Sequence, residues 1–208
     1  MNKIRGCLAA LALGLCLQMP AAVMTEAPVV QAAQKKGLVK TGKKYVYYAK
    51  GKKVRNKWVN VKTGGKKYRY YFGKNGVAST GVKQIKNKIY CFNAKGQMQK
   101  NGWYKKKYYL GKDGAAYTGI RVIDGQMYSF GADGKLDTAK TELLKQYSRQ
   151  AEDVAGLLGI IGEPSSRDYS PSCMTWEGQS GEDGIWNYGT FTVYTFRYGE
   201  KEIVWMCY

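Results

Sequence analysis

Between residues 41 and 138 the chain repeats one short alternation of apolar and polar positions. Its units centre on Tyr47-Tyr48-Ala49, Tyr70-Tyr71-Phe72, Tyr90-Cys91-Phe92, Tyr108-Tyr109-Leu110 and Tyr128-Ser129-Phe130, and the first Tyr recurs at intervals of 23, 20, 18 and 20 residues. In four units a glycine follows that Tyr by six residues (Gly76, Gly96, Gly114 and Gly134). Glycine turns at a fixed place, flanked by runs such as Lys67–Phe72 and Val77–Thr80, predict two short strands per unit. A lone hairpin is marginal in water, whereas stacked hairpins bury their aromatic faces against one another. The spacing therefore predicts a β-hairpin solenoid of about five units over residues 34–138, with its lysines facing outward.

After Asp137 the period changes. Leu144, Tyr147, Ala151, Val154 or Ala155, Leu158 and Ile161 fall on one helical face, with Asp137-Thr138 as the cap. Gly156 and Gly159 either split this helix or let it pack closely, and Gly162-Glu163-Pro164 stops it. Tyr169–Cys173 and Gly178–Gly184 read as loop, and Thr190–Tyr198 and Lys201–Tyr208 alternate on either side of Gly199-Glu200 as a hairpin. Residues 139–208 are expected to form a small α+β domain, a helix or helix pair on an antiparallel sheet, so the whole chain is predicted to be mostly β.

Residues 1–33 read as a signal peptide: Lys3 and Arg5 form a charged start, Cys7–Leu17 is apolar, and Pro20 precedes small residues. The apolar run is short for a ~20-residue membrane span, so no integral membrane insertion is expected once the leader is cleaved, after Ala22 or Ala32. The leader takes Cys7 and Cys16 with it. For Cys91, Cys173 and Cys207 both a Cys173–Cys207 bridge and three reduced thiols remain open.

Charge sharpens the division. Of 208 residues, 34 are Lys or Arg, 15 are Asp or Glu and none is His, a net charge of +19. Residues 34–138 carry 26 basic and four acidic residues, and residues 139–208 carry six basic and ten acidic. The repeats therefore call for a polyanionic partner. Export, with no RNP-like or zinc motif, argues against nucleic acid. The absence of histidine removes imidazole as base or metal ligand. Ser170, Ser172 and Cys173 have no His to activate them. Glu177, Glu182 and Asp183 read as a carboxylate pair of glycosidase type or as a solvated acidic loop. No cofactor and no metal is implied.

The stretch Gly102-Trp103-Tyr104, Tyr108-Tyr109-Leu110, Gly114 and Thr118-Gly119 resembles the cell-wall-binding repeat of Gram-positive surface proteins, of choline- or glucan-binding type. The resemblance covers residues 41–138. It implies hairpins wound into a left-handed solenoid, with ligand sites between successive hairpins. Choline-type cages in that family use two Trp and a Tyr. Here no unit keeps two Trp, and Arg69 and Lys107 set positive charge where a cation would bind, which argues against choline. The candidate ligand-binding residues are Trp58, Tyr71, Trp103 and Tyr109 for stacking on sugar rings, and Lys105 and Lys107 for teichoic-acid phosphates. The first Tyr of each unit is assigned to the core.

The C-terminal end resembles an α+β module of clostridial surface proteins, through Ile161-Gly162, Pro164, Ser172-Cys173, Asp183-Gly184, Phe191–Thr195 and Glu202–Val204. The expected protein is noncatalytic, secreted and associated with the cell wall through wall polysaccharide or teichoic acid, with a protein partner for its C-terminal domain. The alternative is a hydrolase-like protein, or an inhibitor or adhesin, whose C-terminal module carries the activity.

Overall fold

The computed structural model describes residues 36–208; the expected leader lies outside them. Five antiparallel hairpins follow one another. The first is β1 (Gly37–Thr41) with β2 (Lys44–Ala49), edged by β3 (Lys52–Lys53). The second is β4 (Lys57–Thr63) with β5 (Lys66–Phe72), and the third is β6 (Gly81–Ile85) with β7 (Lys88–Phe92). The fourth is β8 (Gly102–Tyr104) with β9 (Tyr108–Leu110), and the fifth is β10 (Gly119–Ile123) with β11 (Gln126–Phe130). Each hairpin is its own small sheet, so strand pairing alone does not hold the array together.

The connecting loops join the hairpins. The loop after each hairpin bonds its own second strand: Ser79 N to Tyr71 O, Gln99 N to Cys91 O, Tyr117 N to Tyr109 O and Asp137 N to Ser129 O, at 2.8 to 2.9 Å. One residue earlier it bonds the second strand of the hairpin before: Ala78 N to Tyr45 O, Met98 N to Arg69 O, Ala116 N to Ile89 O and Leu136 N to Lys107 O, each 2.8 Å. These bonds set the true alignment of the units. Tyr45, Arg69, Ile89 and Lys107 are equivalent, so Val46-Tyr47-Tyr48 of the first hairpin matches Tyr70-Tyr71-Phe72. The sequence alignment on Tyr47 was one residue out, because the aromatic run extends over Tyr47-Tyr48 and its alternation has no unique origin.

The turns between hairpins pack tightly. Gly96 has φ +77°, and a Cβ there would sit 2.8 Å from the Ala78 Cβ. Both backbone handedness and space therefore require glycine.

The fifth hairpin meets α1 (Thr138–Tyr147) where a further hairpin would otherwise lie. The Asp137 side chain caps α1 by accepting from Lys140 N at 3.0 Å. The buried Thr141 Oγ1 accepts from the Ser129 backbone N–H at 3.0 Å. The helical pattern breaks into α1 and α2 (Val154–Ile161) between residues 148 and 153, not at the glycines. There Ala151 turns to φ 71°, and the segment hydrogen-bonds across to Val204 through Ala151 N–H and Glu152 C=O. Gly156 is the close-packing glycine: a Cβ on it would run into the Tyr147 ring of α1.

Four strands complete the chain in sequential order: β12 (Ser166–Trp176), β13 (Gln179–Asn187), β14 (Thr192–Tyr198) and β15 (Lys201–Cys207). The expected β14–β15 hairpin is present with Tyr198 opposite Lys201. The two stretches read as loop are instead strands β12 and β13. One face of the sheet packs Trp186, Val193, Val204 and Cys207 on Leu144, Val154 and Leu157 of the helices, and Met127 of the fifth hairpin belongs to the same buried cluster. The protein is thus mostly β, with hairpin repeats followed by a small α+β part. Among the described residues no helix is long and apolar enough to cross a membrane.

Replacing Thr141 by Val leaves the buried Ser129 N–H without its acceptor. The expected cost is about 2 kcal/mol of stability, the usual range for a buried unsatisfied donor, and thermal denaturation of the T141V chain against wild type measures it.

Candidate functional site

Alternation on each hairpin puts one cross-strand pair near its base on the face toward the next hairpin. In the second hairpin that pair is Trp58 opposite Tyr71, with ring centroids 5.2 Å apart. The third hairpin closes on it with Tyr90, 4.9 Å from Trp58 and edge-on, and Phe92 at 5.9 Å. In the fourth hairpin the equivalent pair is Trp103 opposite Tyr109, 5.3 Å apart. The fifth supplies Tyr128 at 5.3 Å and Phe130 at 6.0 Å from Trp103. The same four-ring seam is therefore built twice, two hairpins apart.

The seams between are filled differently. The first hairpin packs Leu38 and Tyr47 against Tyr70 and Phe72. The third offers Val82 and the buried Cys91 toward Tyr108 and Leu110. Burial pushes the Cys91 thiol up to about 11, so it stays protonated and packs as a small apolar group. Tyr70 and Tyr108 are core, as expected for the first Tyr of a unit, whereas Tyr90 and Tyr128 are half-buried and face a tryptophan. Sequence reasoning missed Tyr90, Tyr128, Phe92 and Phe130 as members of the seams. The signal was available: each lies on the strand face that follows a unit holding Trp.

The two aromatic seams are not alike. The Arg69 guanidinium lies over the Trp58 ring at 4.4 Å, covering a face with the chain's own cation. Among the described residues no cation lies over Trp103, which is 42 % exposed. Its neighbour Tyr128 instead carries Lys145 of α1 at 4.8 Å over the ring, so a residue of the C-terminal segment borders this seam. Burial and the nearby Asp124 raise the Tyr109 hydroxyl above its ordinary value, keeping it a hydrogen-bond donor at neutral pH.

Of the residues selected from sequence, the structure brings Trp58 to Tyr71 and Trp103 to Tyr109 as two separate pairs. Lys105 and Lys107 lie in the β8–β9 turn. Lys105 leans on Tyr104, 5.6 Å from its ring, on the hairpin face opposite Trp103, and Lys107 is exposed beside the buried Tyr108. Neither joins the rings.

The C-terminal carboxylates are held in place by the sheet. Glu182 is paired with Arg197, whose Nε lies 3.0 Å from its Oε2. Asp183 is the next residue on β13 and points to the other face. Glu177 sits in the β12–β13 turn with φ 51°. Beneath them Trp186 Nε1 donates to Tyr169 Oη at 3.1 Å, and Tyr169 Oη donates to Glu202 Oε2 at 3.2 Å. Thr195 Oγ1 donates to the other Glu202 oxygen at 2.5 Å. Among the described residues no buried side-chain polar atom lacks a partner, and no group of His, Cys, Asp and Glu is arranged to hold a metal.

Comparison with known proteins places these features in context. The chain is similar to the modular autolysin LytC from Streptococcus pneumoniae, at 25% identity over 50% of this chain and 27% of that chain, with a TM-score of 0.37. It is similar to choline binding protein F from Streptococcus pneumoniae in the presence of a peptidoglycan analogue, at 24% identity over 75% of this chain and 46% of that one, TM-score 0.40. It is also similar to CbpJ from Streptococcus pneumoniae, at 19% identity over 75% and 47% of the two chains, TM-score 0.41. The chain spans between about a quarter and a half of the length of these proteins. TM-scores this low leave the likeness without weight for function, which rests on the geometry above. No family model matches the chain, and no curated protein does.

Cys173 is exposed, Cys91 and Cys207 are buried, and all three are free. A thiol reagent at pH 8 should therefore label Cys173 within seconds to minutes, and Cys91 and Cys207 only as the chain unfolds. Burial raises both buried thiols from 9.0 to about 11. Their contribution to stability is complete below pH 9 and is lost as pH rises toward 11, because the unfolded chain releases protons that the folded chain retains. Denaturant titrations at pH 8 and pH 11 should show that fall, and C91A should reduce its size.

Proposed function

We propose that the protein is a noncatalytic attachment protein of the bacterial surface, in which the repeats over residues 34–138 bind wall polysaccharide and the helix–sheet segment over residues 139–208 is displayed for a protein partner. The observation that carries this reading is the recurrence of one aromatic seam, Trp58/Tyr71/Tyr90 and Trp103/Tyr109/Tyr128, at alternate junctions of the array. Rings grouped on a ridge, with a basic surface around them, suit stacking on the apolar faces of sugars combined with attraction to anionic groups. Two such stations on one chain act together on a polymer through effective concentration, so modest contacts add to firm retention. The sequence resemblance to cell-wall-binding repeats points the same way. Secretion, through the expected leader, belongs to the same proposal.

The absence of any histidine supports the noncatalytic part, as does the engagement of Glu182 by Arg197. An acid–base pair of glycosidase type needs both carboxyls free to face the substrate, and Glu182 is instead tied to Arg197.

The test is co-sedimentation with purified cell walls. W103A should lower retention about ten-fold, the loss expected on truncating one exposed aromatic anchor. W58A should lower it less, because Arg69 already covers that ring. Retention unchanged in the double variant W58A/W103A, with circular dichroism intact, overturns the reading.

A further inference from the structure

The loops that close the second and fourth hairpins line two equivalent grooves that differ in charge. In the first groove, of about 610 Å³, the loop meets Lys44 of the first hairpin and Lys83 of β6, with Lys74, Asn75, Ser79 and Thr80 on the loop itself. In the second, of about 400 Å³, the corresponding residues include Lys88, Arg121, Asp113, Tyr117 and Thr118. The loop-to-hairpin bonds fix the correspondence: Ala78 reaches Tyr45 and Ala116 reaches Ile89, so Lys44 and Lys88 hold the same place, as do Asn75 and Asp113.

Asn75 and Asp113 perform the same structural task. Asn75 Oδ1 accepts from Val77 N at 3.0 Å, and Asp113 Oδ1 accepts from Ala115 N at 2.9 Å. The remaining side-chain atom decides what each groove can hold. In Asp113 it is Oδ2, which takes Lys88 Nζ at 2.9 Å and neutralises it. In Asn75 the turn bond fixes the oxygen inward and leaves the NH₂ outward, a donor that cannot pair with Lys44. The first groove therefore presents three ammonium groups, the amides of Asn75 and Gln84 and the hydroxyls of Tyr71, Ser79 and Thr80, with no carboxylate in its lining. Among the described residues Lys44, Lys74 and Lys83 have no ion pair. Tyr71 lines this groove and is also a member of the Trp58 seam. The ring platform and the cationic groove are thus contiguous.

We propose that the groove of Lys44, Lys74, Lys83 and Asn75 binds the phosphate groups of a polymer that alternates phosphodiesters with polyol or sugar units. Donors of several kinds around one groove match the many acceptor oxygens of successive phosphodiesters, and the adjoining Tyr71 ring receives the intervening carbon skeleton. The Asp113 groove is the same architecture with its ammonium already paired. This proposal rests on the wall-attachment reading and names the polymer that the cations of that reading serve.

Calorimetric titration of the full chain with a synthetic glycerol phosphate oligomer at low salt tests it. N75D keeps the turn bond and gives Lys44 a carboxylate partner. It should weaken binding about ten-fold, since a close charge is worth on the order of 1 kcal/mol or more at a protein surface. The charge-matched Q146E, on α1 and away from the groove, should stay within about two-fold of wild type. D113N, which releases Lys88, should add a second binding event or tighten the first. N75D behaving like Q146E, or a poly-glutamate of equal charge binding as tightly as the phosphate oligomer, overturns the proposal. Co-sedimentation of the wild-type chain with walls stripped of phosphate polymer separates the two readings. Retention there leaves sugar attachment standing whatever N75D does, and failure there counts against sugar stacking and not against the phosphate groove.

Discussion

The structure depends on one main-chain bond repeated four times: the amide after each hairpin that reaches back to the second strand of the hairpin before. Each hairpin is a two- or three-stranded sheet with little core of its own, and such a unit is marginal by itself. The loop bonds tie unit to unit without requiring any particular side chain, so the seams are free to differ in composition. That freedom is visible along the array, where leucine with tyrosine, tryptophan with tyrosine, and valine with cysteine all occupy the same geometric position. The backbone pattern and its tight glycine turns recur, and the side chains at the junctions vary from one to the next.

This separation explains why aromatic seams appear at alternate junctions. Where Cys91 fills the junction, its small side chain lets Tyr108 bury itself, and no ring ridge forms. Where tryptophan stands, the following tyrosine is held out toward solvent. The Trp58 and Trp103 seams then diverge again through their cations. Arg69 comes from the same hairpin as Trp58, whereas Lys145 reaches the second seam from the helix beyond the repeats.

Much of the fold was legible in the sequence, because the Tyr pairs and glycine turns state the period directly. The helix cap at Asp137 and the β14–β15 hairpin were equally plain. What escaped has physical causes. The origin of the first unit was ambiguous because Tyr45, Tyr47 and Tyr48 satisfy the alternation in more than one frame, and only the contact of Ala78 with Tyr45 resolves it. β12 and β13 are rich in Ser, Gly and acidic residues, so they lack a strand's apolar alternation; main-chain pairing and the cover of Trp176 and Trp186 make them strands. The pairing of the candidate residues Trp58 with Tyr71 and Trp103 with Tyr109 was readable, since each pair sits directly across one hairpin. Their partners Tyr90 and Tyr128 belong to the next hairpin, and no pattern within a single unit reports which face that neighbour presents. Lys105 and Lys107 were chosen for their charge as candidate phosphate contacts, and they lie in a turn apart from the rings.

The union of Ser129 with Thr141 has a bearing on where the repeat pattern stops. A stack of identical hairpins has no natural stopping point, and its last exposed strand is a template for the first strand of another molecule. Here the donor that would invite a neighbour is taken by a threonine hydroxyl from a helix, an element that cannot extend the pattern. The array is therefore closed at that end by a helix in place of another hairpin.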